Sequence, residues 1–290
     1  MKKQLEKLTA LAALCKIRIS LFAAASAAAG FMLARGKGDV SGVWALSGGV
    51  LMLAFGASAL NQLEEAKTDA LMPRTRARPL PSGRVKPVHA LLVSLVLISA
   101  GACLLFISGD ALPAALGALA VFWYDAVYTF LKRVTAFALL PGALAGAIPP
   151  AIGWVYGGGP LLDPKLLLIC LFFYIWQVPH FWLFLLKYGV EYESAGLPSV
   201  TGIFSAGQLR RMIFAWEVCT AASAMLFAAF ETAGPYAFWF YCLPALWMIG
   251  SGAAIFTGKN AWHLFAWKSI NACALAVTFL LGAGRFSFFR

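Results

Sequence analysis

An all-α bundle of about nine transmembrane helices is the fold class this sequence predicts, and three observations predict it. The hydrophobic fraction is 61% against 12% charged residues, and the mean hydropathy is +0.80; a water-soluble chain this apolar could not cover its own surface. Apolar runs about twenty residues long, the length that crosses a hydrocarbon core as a helix, recur along the whole chain. The runs are continuous rather than alternating, which argues against a barrel, and in lipid the backbone must then satisfy itself within each helix. A single domain over residues 1–290, embedded in a lipid bilayer, is therefore expected. The net charge of +11 does not point to nucleic acid, because no basic stretch is long or interleaved with stacking aromatics. It fits cytoplasmic loop charge and anionic ligands instead.

The spans read from the sequence are roughly 17–34, 42–61, 88–108, 111–130, 135–156, 164–186, 209–230, 235–257 and 264–283. The first has Lys2, Lys3 and Lys7 ahead of the small-residue run Ala23–Gly30, like a signal peptide. No polar mature domain follows it, so it is read as a permanent helix. The fifth is the least regular, being rich in Ala and Gly and carrying Pro141, Pro149 and Pro150. With these spans, eighteen of the 23 basic residues fall on one face, and Arg35, Lys37, Lys165, Arg285 and Arg290 on the other. The excess places the N-terminus and the exits of the even-numbered helices in the cytoplasm, in a cell inner membrane. Six cysteines are scattered singly, without metal-ligand spacing, and read as small apolar fillers.

Three polar segments, about 61–83, 124–135 and 176–198, lie at these even-numbered exits. In the first, Asn61, Glu65 and Asp69 are spaced i, i+4, i+8, so a continuing helix puts them on one face. An amide and two carboxylates make an oxygen-only site, which suits hard Mg²⁺ when a substrate phosphate supplies further ligands. Pro73 stops that helix, and Arg74, Arg76 and Arg78 follow within reach of an anion's oxygens. A solvated amphipathic loop explains the same residues less fully. In the second segment, Lys132 and Arg133 suit a diphosphate as well as ordinary topology signalling, with Tyr128 one turn above Lys132. Asp125, about two turns inside the span, is expected to pair with a basic residue or to serve the site. In the third, Trp176, His180 and Phe184 share a face with Gln177 adjacent, and Pro179 is expected to kink the helix toward a substrate cavity. Tyr188 and Tyr192 form an i, i+4 pair beyond it, and Glu191 offers a second acidic corner to the metal site.

The run from Asn61 to Leu80 resembles the first signature of the UbiA-type intramembrane prenyltransferases. Its ending, Met72-x-Arg74-Thr75-x-x-Arg78-Pro79-Leu80, is similar to the protoheme IX farnesyltransferase (heme O synthase) branch of that family. Tyr128-Thr129-x-Leu131-Lys132-Arg133-x-Thr135 and Gly146-Ala147-x-Pro149-Pro150-x-x-Gly153-Trp154 resemble the branch's next signatures. Trp176-x-x-Pro179-His180-Phe181-Trp182, followed by Lys187-Tyr188 and by Tyr192-x-x-Ala195-Gly196-x-Pro198, fits as well. Glu65 and Glu191 stand where the branch usually has Asp, which keeps the charge on a longer arm; Ala138 and Ser199 replace a usual Asn and Met.

The resemblance implies a farnesyl diphosphate donor, heme b as acceptor and Mg²⁺ held through Glu65, Asp69 and Glu191 with help from Asn61. It implies Arg74, Arg78, Lys132 and Arg133 on the diphosphate, and Tyr128, Trp176, Gln177, His180, Tyr188 and Tyr192 along the substrates. A UbiA-type enzyme with another aromatic or quinone-precursor acceptor is the nearest alternative. A secondary transporter is the alternative from another class, although transporters place ionisable groups near the midplane and here they gather at helix ends. No segment indicates a protein partner.

Overall fold

The computed structural model describes residues 9–36, 38–230 and 237–283. Within them, nine helices are long and apolar enough to cross a membrane. They are α1 (Ile17–Arg35), α2 (Val43–Leu71), α3 (Pro87–Gly109), α4 (Ala111–Leu131), α5 (Leu139–Tyr156), α6 (Pro164–Ser194), α7 (Ala206–Phe230), α8 (Ala237–Ala253) and α9 (Asn260–Ala283). Each packs on the next in chain order, and α9 returns to α1 and α6, so the bundle closes into a ring. α1 also crosses α5 closely.

Polarity is arranged for lipid. Large apolar residues such as Ile107 (82% exposed) and Val96 (66%) face outward, whereas Asn61, Glu65, Asp69, Asp125 and Glu217 are buried. Lipid gives no hydrophobic reason for helices to associate, so close packing through small residues does that work. On the α2–α3 seam a side chain at Gly101 would meet the Gly49 carbonyl oxygen at 2.7 Å, and Ser94 Oγ donates to the Gly56 carbonyl at 2.9 Å. At the α1–α5 crossing, Gly153 lies against the Ala27 carbonyl with no room for a side chain.

Three helices differ from the expected spans in ways that build the site. α2 continues ten residues past 61, because nothing before Pro73 breaks it. α6 runs unbroken through Pro179 to Ser194, so Glu191 lies on a helix rather than in a loop. α5 starts at Leu139 and is interrupted at Ala143, close to Pro141. α4 contains one wide turn of π-helix over Trp123–Tyr128, a distortion that tends to mark functional sites. The topology signals Arg285 and Arg290 lie outside the described residues, as does Lys37.

Candidate active site

The unbroken α2 sets Asn61, Glu65 and Asp69 on successive turns of one face, as their spacing requires. Each is engaged from another part of the chain. Asn61 Nδ2 donates to Glu65 Oε1 and to Thr129 Oγ1 of α4, both at 2.8 Å. Glu65 is ion-paired with Lys132, just beyond the end of α4. Asp69 Oδ2 accepts from Arg78 at 2.6 Å. The last turn of α2 is closed by Thr75, whose Oγ1 donates to the Asp69 carbonyl at 2.8 Å. That contact turns the chain back and brings Arg78 alongside the helix it has just left.

The third polar segment faces the first. Arg74 lies over the rings of Phe184 (4.8 Å) and Tyr188 (5.5 Å) on α6, and its backbone N–H donates to Glu191 Oε2 at 3.2 Å. Among the described residues its guanidinium makes no hydrogen bond, so a planar cation is held by stacking while its donors stay uncommitted. Tyr192 packs edge-on against Phe181 and Phe184. Lys132 lies 5.9 Å from the Tyr128 ring, which stacks on Tyr124.

Lys16 completes this cluster. It occupies a left-handed backbone conformation (φ 45°) just before α1. Its Nζ donates to Asn61 Oδ1 at 2.5 Å and to the Tyr124 hydroxyl at 3.2 Å. Gln62 Nε2 secures the approach by donating to the carbonyls of Ala13 and Leu14, both at 2.8 Å. Burial pulls the Lys16 pKa down to about 8, against the opposing pull of Glu65. Burial lowers that of Lys132 as well, again opposed by Glu65.

Not every expected residue joins the cluster. Arg133 is exposed and donates to the Glu64 carbonyl at 2.8 Å, tying the end of α4 to α2. Trp176 and Gln177 bond to backbone outside it: Trp176 Nε1 donates to the Ile270 carbonyl of α9, and Gln177 Nε2 to the carbonyls of Ala143 and Phe173. His180, deeper on α6, lies between the rings of Trp176 (5.1 Å) and Trp267 (5.5 Å), and its buried Nδ1 has no hydrogen-bond partner among the described residues. Among the described residues Asp125 has no basic partner: it is buried, and neither carboxylate oxygen accepts a hydrogen bond. Lys132 pairs instead with Glu65, one α2 turn beyond Asn61.

No group of three His, Cys, Asp or Glu among the described residues is gathered tightly enough to hold a metal ion by itself. The donors nevertheless fit Mg²⁺ in character: Glu65 and Asp69 are buried carboxylates one turn apart, and Glu191 faces their segment from α6. Two or three carboxylates suffice for Mg²⁺ when phosphate oxygens and water fill the remaining positions. Lys16 and the pairing roles of Tyr124 and Thr129 were not legible from the sequence. A lysine among other N-terminal lysines carries no local signal, and only the fold brings residue 16 to residues 61 and 124.

Comparison with known proteins agrees with this architecture. Residues 23–283 match the UbiA prenyltransferase family. A protoheme IX farnesyltransferase of Geobacter sulfurreducens is 41% identical over 232 residues, covering 79% of this chain and 84% of that relative. Another of the same name, from Nitratidesulfovibrio vulgaris, is 36% identical over 76% of each chain. Among solved structures, an apo UbiA homolog from Aeropyrum pernix K1 superposes with a TM-score of 0.73 at 22% identity, over 92% of this chain and 97% of that one. A UbiA homolog from Archaeoglobus fulgidus, bound to GPP and Mg²⁺, gives 0.66 at 13% identity, over 94% and 99%. The chain is a membrane-spanning member of the UbiA prenyltransferase family.

Proposed function

We propose that this protein transfers the farnesyl group of farnesyl diphosphate to a vinyl group of heme b, releasing diphosphate and adding water to give the hydroxyethylfarnesyl product. The observation that carries the reading is the pairing on α2: two buried carboxylates one turn apart, Asp69 matched by Arg78 of the loop that follows and Glu65 by Lys132 beyond α4. Such a site binds a metal–diphosphate by exchanging partners, since the cations that now neutralise Glu65 and Asp69 are those an anionic donor would draw. The heme acceptor is supported by relatives of that name at 36–41% identity, and the use of Mg²⁺ by the GPP- and Mg²⁺-bound homolog.

In this reading Glu65, Asp69 and Glu191 hold Mg²⁺, with Asn61 steadying Glu65. The bound ion would shield the diphosphate and help it to leave. Arg74, Arg78 and Lys132 stabilise the negative charge that develops on the leaving group, an electrostatic contribution largest where water is excluded. Tyr128, Tyr188 and Tyr192 line the donor's path with ring faces, which favour a developing allylic cation. His180 faces the acceptor from deeper in α6. An isoprenoid tail enters sideways from lipid, and the polar site opens to the cytoplasm from the inner membrane.

An acceptor panel tests the assignment. Purified protein is supplied with Mg²⁺ and farnesyl diphosphate, together with heme b or a quinone-precursor ring. We expect a prenylated heme and no prenylated ring; the reverse pattern would keep the prenyltransferase chemistry and discard the heme.

A further inference from the structure

Hydration of the prenylated vinyl group releases a proton, and none of the roles assigned above is that of receiving it. Asp125 is the group the site leaves unused. It is 3% exposed on the π-helical turn of α4, and among the described residues neither Oδ1 nor Oδ2 accepts a hydrogen bond. A buried polar group left without a partner calls for an explanation, and a catalytic role is one of them. The residues beside it already belong to the site: Tyr124 meets Lys16 and Asn61, and Thr129, one turn on, meets Asn61. Burial is the largest influence on Asp125, and Glu64, Lys16 and Glu65 act on it as nearby charges. Glu217 is also buried without a partner, but it stands on α7 against Gly252 of α8, with none of the site's charges acting on it.

We infer that Asp125 is a catalytic base that orients the attacking water and takes its proton. The inference rests on the heme reading. As the C1–O bond to diphosphate breaks, farnesyl C1 bonds to the terminal vinyl carbon and leaves positive charge on the carbon next to the porphyrin. The water oxygen bonds to that carbon, and one of its protons passes to the Asp125 carboxylate. One water is consumed, one proton and one diphosphate are released, and nothing is oxidised or reduced. A carboxylate with all its lone pairs uncommitted can hold a water and receive a proton, as general base catalysis requires. Without that base the same cation loses a proton from the adjacent carbon to the departed diphosphate and becomes an alkene, lighter by one water.

The test reads the mass of the heme product and the release of diphosphate from purified Asp125→Asn protein supplied with Mg²⁺, farnesyl diphosphate and heme b. We expect diphosphate release within about tenfold of the unaltered protein, with the product shifted from hydroxylated to dehydrated by at least about a hundredfold in ratio, the lower end of general base effects. Glu64→Gln, which alters the neighbouring acid, should keep the hydroxylated product. Hydroxylated product from Asp125→Asn at an unchanged ratio overturns the inference, as does a dehydrated product from Glu64→Gln alone. Loss of diphosphate release and product together from folded Asp125→Asn assigns a structural role and also overturns it. Should Asp125→Asn not accumulate as folded protein, Asp125→Ser carries the same expectation and the same refutation. Failure of the parent reading is visible separately, because the unaltered protein would then give no prenylated heme.

Discussion

Lys16 shows how one side chain from a distant part of the sequence can organise the site. Its ammonium fixes the Oδ1 end of Asn61, which turns the Nδ2 end toward Glu65 and Thr129. Losing such a charge-assisted bond costs about 1.5–3 kcal/mol, or about tenfold to a hundredfold in rate. The depressed pKa gives this a pH signature. With its pKa near 8, Lys16 is charged below that pH and neutral above it, so donor KM should rise as pH passes through about 8. In Lys16→Arg the charge persists, and the rise should flatten; an identical profile in both proteins would exclude Lys16 as its source. Stability runs the other way. The folded protein releases the Lys16 proton at lower pH than the unfolded chain does, so this group's contribution to stability grows between about pH 8 and the ordinary lysine value near 10.5. The acids of α2 were readable beforehand because they repeat with the helix. Lys16, the pairing of Glu65 with Lys132 and the solitary state of Asp125 depend on contacts between distant segments, which no local spacing encodes.

The elements divide the labour. α2 and α6 reach beyond the length a bilayer needs, at 29 and 31 residues, and their projecting ends carry Glu65, Asp69, Tyr188 and Glu191. The sequence revealed the spans because apolar length sets them, and it revealed the continuing face of α2 because no breaker intervenes. It did not reveal the π-turn of α4, since a single added residue per turn leaves no periodic trace in so short a stretch. Helix α3 has the opposite role, holding α2 in place through Gly101, Gly49 and Gly56. Replacing Gly101 by Leu should push α3 off the Gly49 carbonyl and Leu53 and destabilise the bundle by about 1–3 kcal/mol. Thermal unfolding in detergent checks this: a lowered midpoint is expected, and an unaltered one would show that the seam has slack.

At the scale of the whole molecule, an apolar exterior surrounds a polar interior concentrated at one end, which suits a reaction between a lipid-soluble tail and a charged leaving group. Composition alone announced the membrane bundle, and the arrangement of basic residues gave the expected orientation. That orientation is open to direct test. In a cysteine-free background in intact cells, Arg76→Cys should be shielded from a membrane-impermeant thiol reagent, whereas Leu162→Cys, between α5 and α6, should react. The reverse labelling would turn the protein over and place the diphosphate site on the outer face.

Turnover in membranes tests the metal–diphosphate site most directly. Membranes containing the protein are supplied with Mg²⁺, farnesyl diphosphate and heme b, while diphosphate release and heme mass are followed with and without a chelator. A product heavier by farnesyl plus water should form. It should disappear on chelation and fall at least about a hundredfold in Asp69→Ala, although that protein still inserts. Undiminished turnover in Asp69→Ala, or transfer indifferent to chelation, would contradict the assignment of the α2 carboxylates to the metal–diphosphate.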